Sequence, residues 1–191
     1  MNKQRLEAFT DGVFAIVITL LILDIKIPDV AYESLGAALI KLTPQIANYV
    51  LSFFVVGLYW VANHSISRNI KQVDGTLILI TLIWLLFVST MPFPTSLLGK
   101  YPLQPIPIVA YGVNLIGANL TGFVVTFYLY KHPELCHTAI TSGMVHQVLP
   151  VYVIANGLYL IGIVLAGILP WVSYAIFGGV LIWLFAWNTL A

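Results

Sequence analysis

Charged residues fall in short clusters along this chain, and the uncharged stretches between them have the length of membrane spans. Lys3, Arg5, Glu7 and Asp11 form the first cluster; Asp24, Lys26, Asp29, Glu33 and Lys41 the second; Arg68, Lys71 and Asp74 the third. Lys100 stands alone, Lys131 and Glu134 follow, and 57 residues then pass without a charge. A helix needs about 20 apolar residues to cross about 30 Å of hydrocarbon. Residues 42–67 supply 26 uncharged positions, 75–99 supply 25, and 101–130 supply 30. The last of these stretches opens with Pro102, Pro105 and Pro107, which read as a turn before the helix. The 57-residue tail is too long for one span, and Gly167-Ile168-Leu169-Pro170 divides it. With residues 6–27 the pattern predicts six helices, near 6–27, 42–66, 75–98, 106–130, 148–168 and 171–190. Residues 1–191 are expected to form one all-α transmembrane domain with no room for a soluble one.

Composition excludes the main alternatives. The chain is 60% hydrophobic and 8% charged, with a mean hydropathy of +0.98, where soluble domains carry about 25% charged residues. A net charge of +1 gives no basic patch for nucleic acid. The single cysteine, Cys136, rules out a disulfide framework and a CxxC metal or redox pair. The N-terminal apolar run has acids on both sides and no small-residue cleavage site, so it does not read as a signal peptide. The chain is expected to be a multi-pass membrane protein and not an ordinary soluble enzyme.

Six spans put both termini on one side. That side carries Lys3, Arg5, Arg68, Lys71 and Lys131, against Lys26, Lys41 and Lys100 opposite, so the positive-inside rule places the termini in the cytoplasm. Asp24, Asp29 and Glu33 opposite form either a cation-attracting vestibule or a solvated acidic loop.

The first helix differs from the other five. Its uncharged stretch, Gly12 to Leu23, is only 12 residues, about 18 Å of helix. Crossing the bilayer must therefore carry Asp11 or Asp24 toward the hydrocarbon edge, at about 2.5–3.5 kcal/mol for a carboxylate at the helix centre. Shielding by the other helices, or water alongside, would remove that cost. Steps of 100° place Gly12, Ile16, Thr19, Leu20, Leu23 and Ile27 within one arc of about 100°. Asp11, Ala15, Ile18 and Ile22 share another arc, roughly 120° away. Taken alone, the apolar arc could be ordinary packing.

Other polar positions read as structural. His132, Cys136, His137 and His146 lie in or beside the loop after the fourth helix, with no zinc spacing and no HExxH. Asn114, Asn119, Thr121 and Asn156 are expected to hydrogen-bond between helices. Ala118-xxx-Gly122 and Gly162-xxx-Ala166 are expected to permit close helix contact. Trp171, Trp183 and Trp187 read as interface anchors or core filler.

The stretch Arg5-Leu-Glu-Ala-Phe9-Thr10-Asp11-Gly resembles the Arg-x-x-x-Phe-Ser-Asp signature that opens the first helix of the transmembrane protein 175 family, potassium-permeable channels of endosomes and lysosomes with shorter prokaryotic relatives. The AIVITLLILDIKIP run that follows is similar to the same helix. Tyr59-Trp60-Val-Ala-Asn63-His64 resembles the Trp-x-x-Asn-His segment ending helix two, and Ser89-Thr-Met-Pro92-Phe93-Pro94-Thr95 the Pro-Phe-x-Thr stretch ending helix three. The likeness covers roughly residues 5–100; the later helices match in number and hydropathy. Thr10 replaces the usual Ser and keeps the hydroxyl. Ser65 stands where many relatives have a second His, which leaves the role of a His pair open.

The resemblance implies a six-helix protomer that assembles as a homotetramer around its first helices, in the bilayer, with a pore that narrows at apolar side chains. The position five after the motif Asp is Ile16, and further along the same face come Thr19, Leu20 and Leu23, the residues the wheel places together. The implied function is a potassium-permeable, modestly selective cation channel, with no cofactor or bound metal beyond the permeating potassium. No TVGYG-like filter occurs; Val56-Gly57-Leu58-Tyr59 lacks the Thr and the second Gly. Discrimination would fall to a dry Ile16 ring, a Thr19 hydroxyl ring, or both. Asp11 is off the pore arc, and its expected partners are Arg5 and donors such as Trp60, Asn63 or His64, which lock the first helix in place. The resemblance implies the inner (plasma) membrane and no enzyme; a secondary cation or proton transporter, a membrane enzyme, for which only Asp11 with His64 qualifies loosely, and a non-conducting structural protein are the competing readings.

Overall fold

The computed structural model describes residues 2–190, with side chains through Trp187. Its described residues form eight α-helices: α1 Lys3–Leu23, α2 Tyr32–Lys41, α3 Thr43–Asn69, α4 Gly75–Thr90, α5 Pro92–Lys100, α6 Pro105–Lys131, α7 Ser142–Leu165 and α8 Pro170–Leu190. Six stretches are long and apolar enough to span a membrane, with α4 and α5 together making the third.

The helix ends shift from the expected positions for local reasons. Helix α1 starts at Lys3, where Asn2 Oδ1 accepts from the Arg5 backbone N–H at 3.0 Å, and stops at Leu23 with Asp24 as C-cap. Twenty-one residues at 1.5 Å make about 32 Å, enough for the bilayer. Asp24 thus sits at the helix end, and Asp11 is the carboxylate carried inward. The third span is divided at Met91, because Pro92 and Pro94 lack the N–H groups that would continue the ladder. Helix α7 begins at Ser142, six residues before the expected start. Thr141 Oγ1 caps it by accepting from Met144 N at 3.3 Å, and Pro150 lies inside the helix rather than near its start. The short α2 was not expected; none of its residues is buried.

Between lipid-embedded helices there is little hydrophobic driving force, so close packing and hydrogen bonds hold the bundle. A Cβ on Gly162 would meet the Phe177 ring at 2.6 Å, and one on Gly117 would collide with Phe87. These glycines let α7 approach α8 and α6 approach α4. Ser173 Oγ adds a buried bond to Gly162 O at 2.7 Å. At the same level of the bundle, where the Tyr111 ring meets Phe177 at 5.9 Å, Ser52 Oγ on α3 lies 3.0 Å from Tyr111 Oη on α6 and 2.7 Å from Thr95 Oγ1 on α5. The loops at the end of the bundle that holds the N-terminus are stapled too. Asn69 donates to Thr138 O at 2.8 Å and accepts from Thr138 N at 2.9 Å. Asp74 caps α4 through Leu77 N at 2.8 Å and accepts from Tyr128 Oη at 2.6 Å. Those two donors, Tyr128 first, hold the Asp74 carboxyl below its usual pKa.

Only Asn114 among the four polar residues expected to link helices does so, donating to Thr90 Oγ1 at 2.7 Å and Phe87 O at 3.1 Å. Thr121 bonds its own helix at Gly117 O, Asn156 bonds Tyr152 O, and Asn119 Nδ2 has no partner. Within a helix the carbonyl four residues back is always in reach, and Thr121 and Asn156 take it.

Candidate ion-conduction site

Helix α1 has two faces. Leu6, Thr10, Phe14, Val17 and Leu21 are buried against the chain's own bundle, where α1 packs on α3, α4 and α5. Phe14 meets the Trp84 ring at 5.6 Å. Most of the rest of α1 is bare in a single protomer: Asp11, Ala15 and Ile22, 43% exposed, on one arc, and Ile16, 60% exposed, Leu20, 42%, Leu23, 68%, with Gly12 and Thr19, on the other. The second arc is the one that the wheel sets apart as apolar. It is a contiguous apolar strip with one hydroxyl.

That hydroxyl has a defined orientation. Thr19 Oγ1 donates back to Ile16 O at 2.8 Å and lies 3.1 Å from Ala15 O. Its one hydrogen is committed to the helix, so toward the outside the oxygen offers lone pairs only. An exposed oxygen in that state accepts from water or coordinates a cation; it has no proton left to donate.

The motif residues divide differently from expectation. Trp60 Nε1 donates to Asp11 Oδ1 at 3.0 Å, and the Trp60 ring stacks on His64 at 5.7 Å. Asp11, Asn63 and His64 line one polar cleft of about 180 Å³ with Glu7, Ser67 and Arg68. Asp11 is exposed in the protomer rather than buried. Arg5 does not pair with it. Because α1 begins at Lys3, Arg5 lies on the helix, on the same arc as Ile16, and its backbone N–H serves the Asn2 cap. Phe9, half exposed, lies on that arc as well. Thr10 is buried and donates to Leu6 O at 2.9 Å, so its hydroxyl stays within α1. The network around Asp11 is thus Trp60 and the cleft residues, without Arg5, Phe9 or Thr10. Sequence reasoning placed Arg5 outside the helix; the Asn2 cap was the signal that could have corrected it. Among the described residues no group of three His, Cys, Asp or Glu is placed to hold a metal.

The family described as endosomal/lysosomal potassium channel TMEM175 matches residues 5–92. A potassium channel of Chamaesiphon minutus is 33% identical over 179 residues, which cover 90% of this chain and 88% of that protein. The chain belongs to the TMEM175 family. The crystal structure of a TMEM175 homolog from Chamaesiphon minutus, described as a lysosomal potassium-selective channel, shares its fold with a TM-score of 0.81, at 27% identity and covering 97% of both chains. The mouse relative, named an endosomal/lysosomal proton channel, is 40% identical over 114 residues, covering 55% of this chain and 23% of its own length. The alignments span 59% and 50% of two other bacterial relatives. The TMEM175 proteins named here are ion channels, not enzymes.

Proposed function

We propose that this TMEM175 chain is a potassium-permeable, modestly selective cation channel whose ion path runs between copies along α1. The observation that carries the reading is the bare arc of Ile16, Thr19, Leu20 and Leu23, left uncovered while the other side of α1 is buried in its own bundle. One α1 cannot enclose a path, so the reading requires a homo-oligomer, a tetramer by the family pattern. Four Ile16 side chains then make a dry constriction. An ion passes it only by shedding hydration, which costs less for potassium than for sodium. Four Thr19 oxygens, one turn away with their lone pairs free, replace part of the lost water. Conduction is slow and selectivity modest beside a carbonyl ladder. Potassium is the permeant ion and no cofactor enters the reading. In this reading the protein lies in a bacterial plasma membrane with both termini in the cytoplasm, which the excess of Lys and Arg on the side of the termini supports.

The name of the mouse relative favours the proton as a second permeant ion. The test is flux from liposomes holding the purified chain, with potassium, sodium and proton gradients imposed in turn. Potassium flux well above sodium flux supports the proposal. A saturable, substrate-dependent flux would indicate a transporter, and no flux above protein-free liposomes a structural protein.

A further inference from the structure

One charge stands on the apolar arc of α1. Arg5 lies within about 20° of Ile16 on the wheel and about 16 Å nearer the N-terminus along the axis. Its side chain is exposed in the protomer. The neighbouring charges are engaged elsewhere. Lys3 and Glu7 pair at 3.6 Å on the far side of the helix. Asp11 accepts from Trp60 Nε1 at 3.0 Å on the other exposed arc, and Arg68 lines the cleft beside it. Among the described residues no carboxylate pairs with the Arg5 guanidinium. The opposite end of α1 has no base in its last turn, and its C-cap is the exposed Asp24. The two ends of the helix therefore differ in sign.

An arginine keeps its charge at every working pH. With the ion path between four copies of this arc, four Arg5 side chains surround the mouth at the N-terminal end of α1. We infer that Arg5 sets the direction of easier ion flow: cations enter less readily from the Arg5 end than from the Asp24 end, so the channel rectifies. The size follows from Coulomb's law. For guanidiniums about 10 Å from the axis in water, screened over about 8 Å at about 0.15 M salt, four charges lower the cation concentration at that mouth about twofold. At about 0.01 M salt the screening length is about 30 Å, and the same ring lowers it about sevenfold. Fixed charges steer ions in this way without touching them. Ile16 and Thr19 are uncharged and supply no such asymmetry. The inference rests on the reading that the path runs along α1.

The test uses the full chain in planar bilayers with equal potassium chloride on both sides. Wild-type current is expected to rectify about twofold at about 0.15 M and more steeply at low salt. Arg5→Cys makes the current nearly linear. Cys136 is buried, so the introduced thiol is the one that small charged reagents reach. A membrane-impermeant trimethylammonium methanethiosulfonate acts from one chamber only and lowers the current entering from that chamber about twofold at about 0.15 M salt. The sulfonate-bearing reagent raises the same current. Equal effects of the two reagents, equal effects on both current directions, or a rectification that salt does not change overturn the inference. If Arg5→Cys does not assemble, Arg5→Gln and Arg5→Lys decide. The first is expected to lose the asymmetry and the second to keep it. A lowered tetramer fraction with unchanged rectification in Arg5→Gln would make Arg5 a contact between copies instead. A wild type without current refutes the pore reading itself; a current that fails these tests refutes only the role of Arg5.

Discussion

Replacing Thr19 with valine keeps the side-chain shape and removes one atom type, the hydroxyl oxygen. The structure says what else should stay constant. Thr19 is exposed in the protomer and bonds only to carbonyls of its own helix, so the change should cost the fold less than about 0.5 kcal/mol. In a tetramer the substitution removes four oxygens whose lone pairs face the path. A tenfold preference for potassium over sodium corresponds to about 1.4 kcal/mol, or roughly 0.35 kcal/mol per oxygen if the four share it equally. For a monovalent ion that ratio is worth about 59 mV of reversal potential. Under biionic potassium and sodium, Thr19→Val should therefore carry the reversal potential most of the way to zero while Ile16 still limits conductance. An unchanged reversal potential would refute the hydroxyl ring and leave the dry constriction as the filter.

Ile16→Asn should wet the constriction, giving larger currents with a smaller potassium preference in planar-bilayer recording; wild-type currents would remove Ile16 from the narrowest point. Asp11→Ala should loosen α1 on α3 by about 0.5–1.5 kcal/mol, the worth of one hydrogen bond, lowering the tetramer fraction in size-exclusion chromatography, with Trp60→Phe doing the same. An intact oligomer with altered ion preference would instead put Asp11 on the ion path. Asp74→Ala should cost about 1 kcal/mol near pH 7 through the lost α4 cap. The folded carboxyl is held below its usual pKa, so its stabilisation is present above about pH 4 and fades as pH falls through the lowered value. Thermal unfolding of wild type and variant should converge toward pH 3, and a gap that widens there would contradict the assignment.

The six spans were legible because charge spacing sets the first four and Gly167 to Pro170 divides the charge-free tail into the last two. What failed had a local physical cause. Arg5 was misplaced because the Asn2 cap extends α1 by a turn, and α7 was begun late because Pro150 looked like a start when Thr141 is the cap. Asn119 could not be assigned from sequence, since nothing in its neighbours says that the facing helix offers no acceptor. The bare face of α1 and the committed proton of Thr19 are properties of packing and rotamer, which periodicity does not encode.

The measurement that bears most directly on the central claim is thiol block of potassium current. The native Cys136 is buried, its thiol pushed up in pKa by that burial, and so should be inert near neutral pH. A cysteine introduced by Ile16→Cys should let a small charged thiol reagent abolish the current, while Ile22→Cys, on the neighbouring arc, should leave most of it. Block at Ile22→Cys with none at Ile16→Cys would mean that the ion path does not run along this face of α1.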